Sequence, residues 1–268
     1  MKPGYCVSLY TIPDPDLKGK EFWQRLQSVM EAHGCLLLPK RDMPLIEVDG
    51  ENIWLPEEGS VEEWKRVVEE AFLQAQKFFV IPLSDWGEFF GPMLHILPDP
   101  VCHECSWRKG YVRNEWGYEI LMSFSRYRLS SQGRRLCDLV MKLCKELFLQ
   151  LPCDFGFGCH EYLYEIQREW FLRSLRSIEV VPMISDLSFQ IAPHLRLKDW
   201  SWFDEKPVWF YLLCRERYQE IKPFLSNIYI EAKDIFPNLE KGYGIQYIEQ
   251  LPNGGAFVFL DYPYILDE

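Results

Sequence analysis

Apolar positions in the first hundred residues follow the periods of strands and helices in turn. The stretch GYCVSLYTI is rich in strand formers. In GKEFWQRLQSVMEAHG, residues Phe22, Leu26, Val29, Met30 and His33 share one helical face, and Gly34 ends the run. CLLLP reads as a short buried strand, and PLIEVDGENIWLP as a hairpin turning at Asp49-Gly50. SVEEWKRVVEEAFLQAQ carries an apolar stripe of Val61, Trp64, Val67, Val68, Ala71 and Phe72. Ser60 and Glu63 have the spacing of a capping box in front of it. KFFVIPL is again a strand. The order strand, helix, strand, strand, helix, strand predicts a ferredoxin-like, split βαβ unit over residues 1–100.

Prolines 92, 98 and 100 then disfavour regular structure, and residues 101–112 read as a linker. Beyond it, YEILMSFSRYRLS alternates, with Ile120, Met122, Phe124 and Tyr127 to one side. SQGRRLCDLVMKLCKELFLQL aligns Leu136, Leu139, Val140, Leu143 and Leu147 as a helix. DFGFGCHEY is a glycine-interrupted strand, YEIQREWFLRSLRSI a helix, and VVPMISDLSFQI and VWFYLLCRE strands. RYQEIKPFLSNIYIEAKDIF reads as a helix broken or kinked at Pro223. The C-terminal YGIQYIEQLPNGGAFVFLDY is a hairpin turning at Asn253-Gly254-Gly255. Residues 113–268 are thus expected to form a second α+β unit packed against the first. The predicted class is α+β, with two ferredoxin-like or related halves and mainly antiparallel sheets.

Charge changes this picture more than composition does. The chain carries a net charge of -11 over 268 residues, and residues 44–104 alone hold 13 acidic and three basic side chains. Residues 105–222 are slightly basic, with 18 basic against 15 acidic. A whole-chain nucleic-acid binder needs the opposite balance, so nucleic acid is not an expected partner. The acidic segment, with Glu62, Glu63, Glu69 and Glu70 on one predicted helix, suits a basic protein partner. The start lacks the apolar run of about 7 to 15 residues that a secretory signal needs, and no run approaches the roughly 18 apolar residues that span a bilayer. Nine cysteines without secretory context read as reduced thiols in a cytoplasmic protein.

Candidate chemistry is sparse. Cys102 and Cys105 in PDPVCHECSWRKG have the spacing of a zinc ligand pair, and Cys159 and His160 are the candidates to complete a tetrahedral set. Zinc is the metal such ligands would take; the alternative is a turn with two free thiols, and no cofactor is expected. Arg126, Arg128, Arg134 and Arg135 cluster about a predicted helix start, where an anion could be held. Trp200 and Trp202 alternate and Phe203 follows, in a proline-containing loop whose rings could serve as interface anchors. The chain has no G-x-S-x-G, H-E-x-x-H, G-x-G-x-x-G or Walker loop.

The sequence therefore leans away from an enzyme. It points to a non-catalytic intracellular binding protein of inhibitor, immunity or adaptor type, recognising another protein through an acidic face and the aromatic loop. The alternative is an enzyme acting on an anionic small molecule. In that case the four arginines would hold the anion, with Cys159, His160 and Glu161 supplying the chemistry.

Overall fold

In a computed structural model the chain is described over residues 4–12, 14, 16–17, 19–39, 46–55, 58–75, 77–80, 82–84, 93–98, 117–160, 164, 208–227, 229–230 and 243–262. The first strand, β1 (Gly4–Thr11), is buried along its whole length. That requires cover on both faces and hydrogen-bonded strands on both edges. It pairs antiparallel with β8 (Tyr118–Ser125) on one side and β9 (Cys153–His160) on the other.

The strands between are β2 (Cys35–Pro39), β3 (Ile46–Val48), β4 (Glu51–Ile53), β5 (Phe78–Val80), β6 (Pro82–Ser84) and β7 (Met93–Pro98). After β9 come β10 (Val208–Leu213), β11 (Tyr229–Ile230), β12 (Tyr243–Gly244), β13 (Tyr247–Gln250) and β14 (Ala256–Phe259). Ten of them form one sheet in the order β13-β14-β10-β9-β1-β8-β7-β5-β3-β4. Every pairing in this sheet is antiparallel. Two small ladders, β2 with β6 and β11 with β12, stand apart from it.

The α+β class with antiparallel pairing is therefore seen. The arrangement differs from two separate ferredoxin-like sheets, because β1 lies between two strands from beyond residue 112, and β2 leaves the main sheet to pair with β6. Long-range pairing outweighs the local strand-helix order that suggested the split βαβ unit. The expected linker, residues 101–112, lies outside the described residues, as do the predicted helix at 164–178, apart from Tyr164, and the strand at 180–191.

Among the described residues, three helices cover one face of the sheet. Helix α1 (Lys20–Ala32) buries Phe22, Trp23, Leu26, Val29 and Met30. Helix α2 (Val61–Gln74) begins with the expected capping box, in which the Glu63 amide donates to Ser60 Oγ at 3.2 Å and the Ser60 amide to Glu63 Oε2 at 2.6 Å. Its buried stripe is narrower than predicted, being Val68, Ala71 and Phe72, with Val61 exposed. Trp23 stacks on Phe72 at 4.7 Å and Phe22 on Tyr118 at 3.8 Å, so α1, α2 and the sheet share one aromatic core.

Helix α3 (Arg126–Gln150) breaks at Gly133, whose φ of 54° and ψ of -140° are not helical. Beyond the break it buries Leu136, Val140, Leu143 and Leu147. The stretch predicted as a helix broken or kinked at Pro223 is a short α4 (Arg215–Ile221) followed by a 3-10 turn (Lys222–Asn227), and its part from residue 231 onward lies outside the described residues. Pro223 has no amide hydrogen to extend the α-helical ladder, which accounts for the change. Both predicted hairpins form. Asp49 and Gly50 take positive φ at the β3–β4 turn, and Gly254 does so between β13 and β14. No helix of the described residues is long and apolar enough to cross a membrane.

Two glycines let the centre of the sheet close. A Cβ on Gly156 would lie 2.4 Å from Leu9 Cδ2 and 3.0 Å from the Ser8 carbonyl oxygen, and one on Gly158 would lie 2.7 Å from the Phe210 ring. Gly156→Ala and Gly158→Ala are each expected to cost about 2 kcal/mol through overpacking. That should read as a fall of roughly 5 °C in Tm on thermal melting followed by circular dichroism.

Candidate functional site

Side chains of a strand alternate between faces. Tyr5, Val7 and Leu9 therefore join the apolar core under the helices, while Cys6, Ser8 and Tyr10 point to the opposite face. The same alternation in β8 puts Glu119 on that second face, between Tyr10 on β1 and Leu97 on β7. Glu119 is fully buried, as are Ser8 and Tyr10.

One carboxylate oxygen, Glu119 Oε1, accepts hydrogen bonds from Ser8 Oγ at 2.7 Å, from Tyr10 OH at 2.6 Å and from the Tyr164 hydroxyl. Tyr10 stacks on Phe155 at 4.5 Å, so the polar group is walled by aromatic rings. His95 stands toward the β3 edge of this face, with its ring 4.5 Å from Phe79. Burial lowers the His95 pKa from the ordinary 6.5, and the charges of Glu47 and Glu119 oppose that shift.

A second buried charge lies nearby. Asp154 on β9 forms an ion pair with Arg217 on α4, and both are almost fully enclosed. The Arg217 guanidinium also lies 4.7 Å from the centre of the Phe155 ring. The Cys214 thiol donates to Asp154 Oδ1 at 3.3 Å. Neither group is evident from the sequence, since Glu119 lies 111, 109 and 45 residues from Ser8, Tyr10 and Tyr164, and Asp154 lies 63 from Arg217. The available signal was the polar side of two otherwise apolar strands, GYCVSLYT and YEILMSFS.

The sequence-derived candidates fall in different places. Cys159 and His160 are both buried, but they point to opposite faces of β9. The Cys159 sulfur meets Cys6, and the His160 ring meets Tyr5 edge-on at 5.2 Å. They do not offer two ligands to one side, nor a nucleophile with an adjacent base. Burial pushes the Cys159 thiol pKa well up, away from a reactive thiolate. Cys102, Cys105 and Glu161 lie outside the described residues. Among the described residues no group of three or more His, Cys, Asp or Glu is placed to hold a metal ion.

Of the four arginines, Arg126 and Arg128 precede the break at Gly133, and Arg134 and Arg135 follow it on the exposed surface. Arg134 Nε donates to Tyr262 OH at 3.1 Å, and that hydroxyl donates to Asp138 Oδ1 at 2.7 Å. Arg134 is thus engaged in tying α3 to the residues after β14. Trp200, Trp202 and Phe203 lie outside the described residues.

Of the four glutamates of α2, Glu62 and Glu69 line an open groove of about 660 Å³ between α1 and α2. Lys20 meets Glu69 at 3.0 Å and Lys65 meets Glu31 at 3.0 Å, which makes the helices antiparallel and braces both ends of the groove. Gln24 and Gln27 line its α1 side. Glu62 and Glu70 remain mostly exposed despite pairing at 3.9 Å with Lys65 and 3.8 Å with Arg66. Glu63 is occupied as the cap, and its hydrogen bonds with Ser60 lower its pKa.

No family model matches the chain, and no curated protein matches it. Among solved structures it is similar to the Pseudomonas aeruginosa T6SS protein PA0821, with 12% identity and a TM-score of 0.41, over 99% of this chain and 67% of that one. At that distance the likeness carries no activity across to this chain.

Glu119→Ala removes the shared acceptor of three hydroxyls, two of them fully buried, and is expected to cost about 3 kcal/mol. Tyr10→Phe should cost about 1 kcal/mol in the parent and much less in the Glu119→Ala background, a coupling that a denaturation double-mutant cycle measures. For His95 the folded state resists the proton that the unfolded chain accepts. Its contribution is fully present above pH 6.5 and is lost as pH falls below it. Burial and the Lys142 charge lower the His33 pKa as well, so His33 acts in the same direction. His95→Gln should therefore flatten, without abolishing, the loss of urea stability between pH 7.5 and 5.5.

Proposed function

We propose that the chain is a non-catalytic binding protein that recognises another protein through the charged α1–α2 face. The observation that supports this reading most is the groove itself. It is open and its lining is polar or charged apart from Ala32, and α2 presents Glu62 and Glu70 outward at and beside it. Such a lining offers an apolar ligand little to bury. It suits a polar protein surface whose cations meet the outward carboxylates. The capping box and the two cross-groove ion pairs hold these carboxylates on a fixed scaffold, which lowers the entropy lost on association.

The thiols give the enzyme alternative little help. Burial pushes Cys137 and Cys214 up to about 12, and Cys144 and Cys153 higher still. In this reading the aromatic stretch of Trp200, Trp202 and Phe203 adds apolar anchors to a contact begun by charge, and a basic partner of the inhibitor-target, toxin or adaptor kind fits best.

The test is co-purification from the native source with the parent and with the Glu62→Lys/Glu70→Lys variant, which leaves the cap and the cross-groove pairs intact. The parent should retain a stoichiometric protein partner. The variant should hold it at least tenfold more weakly at the same Tm, and added salt should weaken the parent's complex. A partner held equally by both proteins, or none held by the parent, would overturn the reading.

A further inference from the structure

Cys6 and Cys159 are directly opposite each other in the β1–β9 ladder, 153 residues apart in sequence. Their sulfurs lie 3.8 Å apart on the second face of the sheet, and the Cys6 thiol also lies 3.7 Å from the Cys159 carbonyl oxygen. Both side chains are enclosed, with Cys6 3% and Cys159 0% exposed. Opposed residues of an antiparallel pair have Cα atoms about 4.5 to 5.5 Å apart. That falls inside the roughly 4.4 to 6.8 Å that a disulfide spans. Turning the two side chains toward each other can bring the sulfurs to bonding distance without changing the register.

We propose that Cys6 and Cys159 form a redox couple that closes to a cross-strand disulfide when the protein meets a peroxide. In the first step the thiolate of one cysteine attacks the peroxide O–O bond. That sulfur becomes a sulfenic acid, and the departing hydroxide takes up a proton as water. The partner sulfur then displaces the sulfenic hydroxyl as a second water, and its own proton goes to that leaving group. Two thiols and one hydrogen peroxide give one disulfide and two waters, and the two electrons lost by the sulfurs reduce the peroxide. A dithiol reductant reverses the change by exchange through a mixed disulfide.

Enclosure sets the character of the couple. The sulfurs react only in the rare openings of the β1–β9 ladder, so closure follows sustained exposure and not a brief pulse. Because Cys159 and Cys6 meet at the centre of the ten-stranded sheet, the bond fastens the strand on which both flanking ladders depend.

The folded full-length protein is treated with hydrogen peroxide, its remaining thiols are alkylated in denaturant, and the chain is digested without reductant. The expected result is a Cys6 peptide joined to a Cys159 peptide, with intact mass lower by about two hydrogens. Dithiothreitol should reverse both changes. The oxidised protein should melt roughly 5 °C higher than the reduced form. Cys159→Ser and, as a second variant, Cys6→Ala should each abolish the joined peptide while leaving the circular dichroism spectrum unchanged. Alkylation of both cysteines after full peroxide treatment, linkage of either to a different cysteine, or a lower Tm for the linked form would each overturn the proposal.

Discussion

The antiparallel pairing of β1 with β8 on one edge and β9 on the other is the constraint from which the rest follows. It places an early strand at the centre of a sheet whose outer strands come from both ends of the chain. Once the register is set, strand alternation leaves no freedom in what faces what. Tyr5, Val7 and Leu9 must meet the helices, and Cys6, Ser8 and Tyr10 must meet the second face. A slip of one residue would bury the wrong set on both sides.

The two faces are stabilised by different physics. Under the helices the core is apolar and aromatic, and the gain comes from removing Trp23, Phe22, Phe72 and Phe78 from water. Gly156 and Gly158 contribute by what they lack, giving Leu9 and Phe210 room to lie against β9. On the second face the sheet buries Glu119 and the Asp154–Arg217 pair. Burying such charges is expensive unless they are well paired. Ser8, Tyr10 and Tyr164 answer that cost at Glu119, and an ion pair with an aromatic wall answers it at Asp154. These contacts reward one arrangement of β1, β8 and β9 and penalise its neighbours, which makes the polar face a source of register specificity.

Local signals in the sequence were legible because their causes are local. The capping box of Ser60 and Glu63, the Asp49-Gly50 turn and the turn around Gly254 each depend on a few adjacent residues. The central place of β1 was not legible, because the strands that flank it lie more than a hundred residues away and nothing in GYCVSLYT names them. The apolar periodicity of α3 is legible in the sequence, but its break at Gly133 is not. Glu119 could be assigned a face, yet its hydroxyl donors come from another strand and from Tyr164. For Cys159 and His160, sequence adjacency suggested a shared site. The period of two in the strand that holds them separates their side chains.

One charged, accessible face lies over α1 and α2 and one enclosed polar face beneath β1, β8 and β9, and both require a single sheet. Native-state hydrogen exchange with site-resolved readout tests that requirement most directly. The amides of β1, β8 and β9 should share the highest protection and should lose it together, in one cooperative opening, as denaturant is raised. Protection of β1 that collapses with β3, β4 and β5 while β8 and β9 stay closed would contradict the account, since β1 would then belong to a separately folding amino-terminal unit.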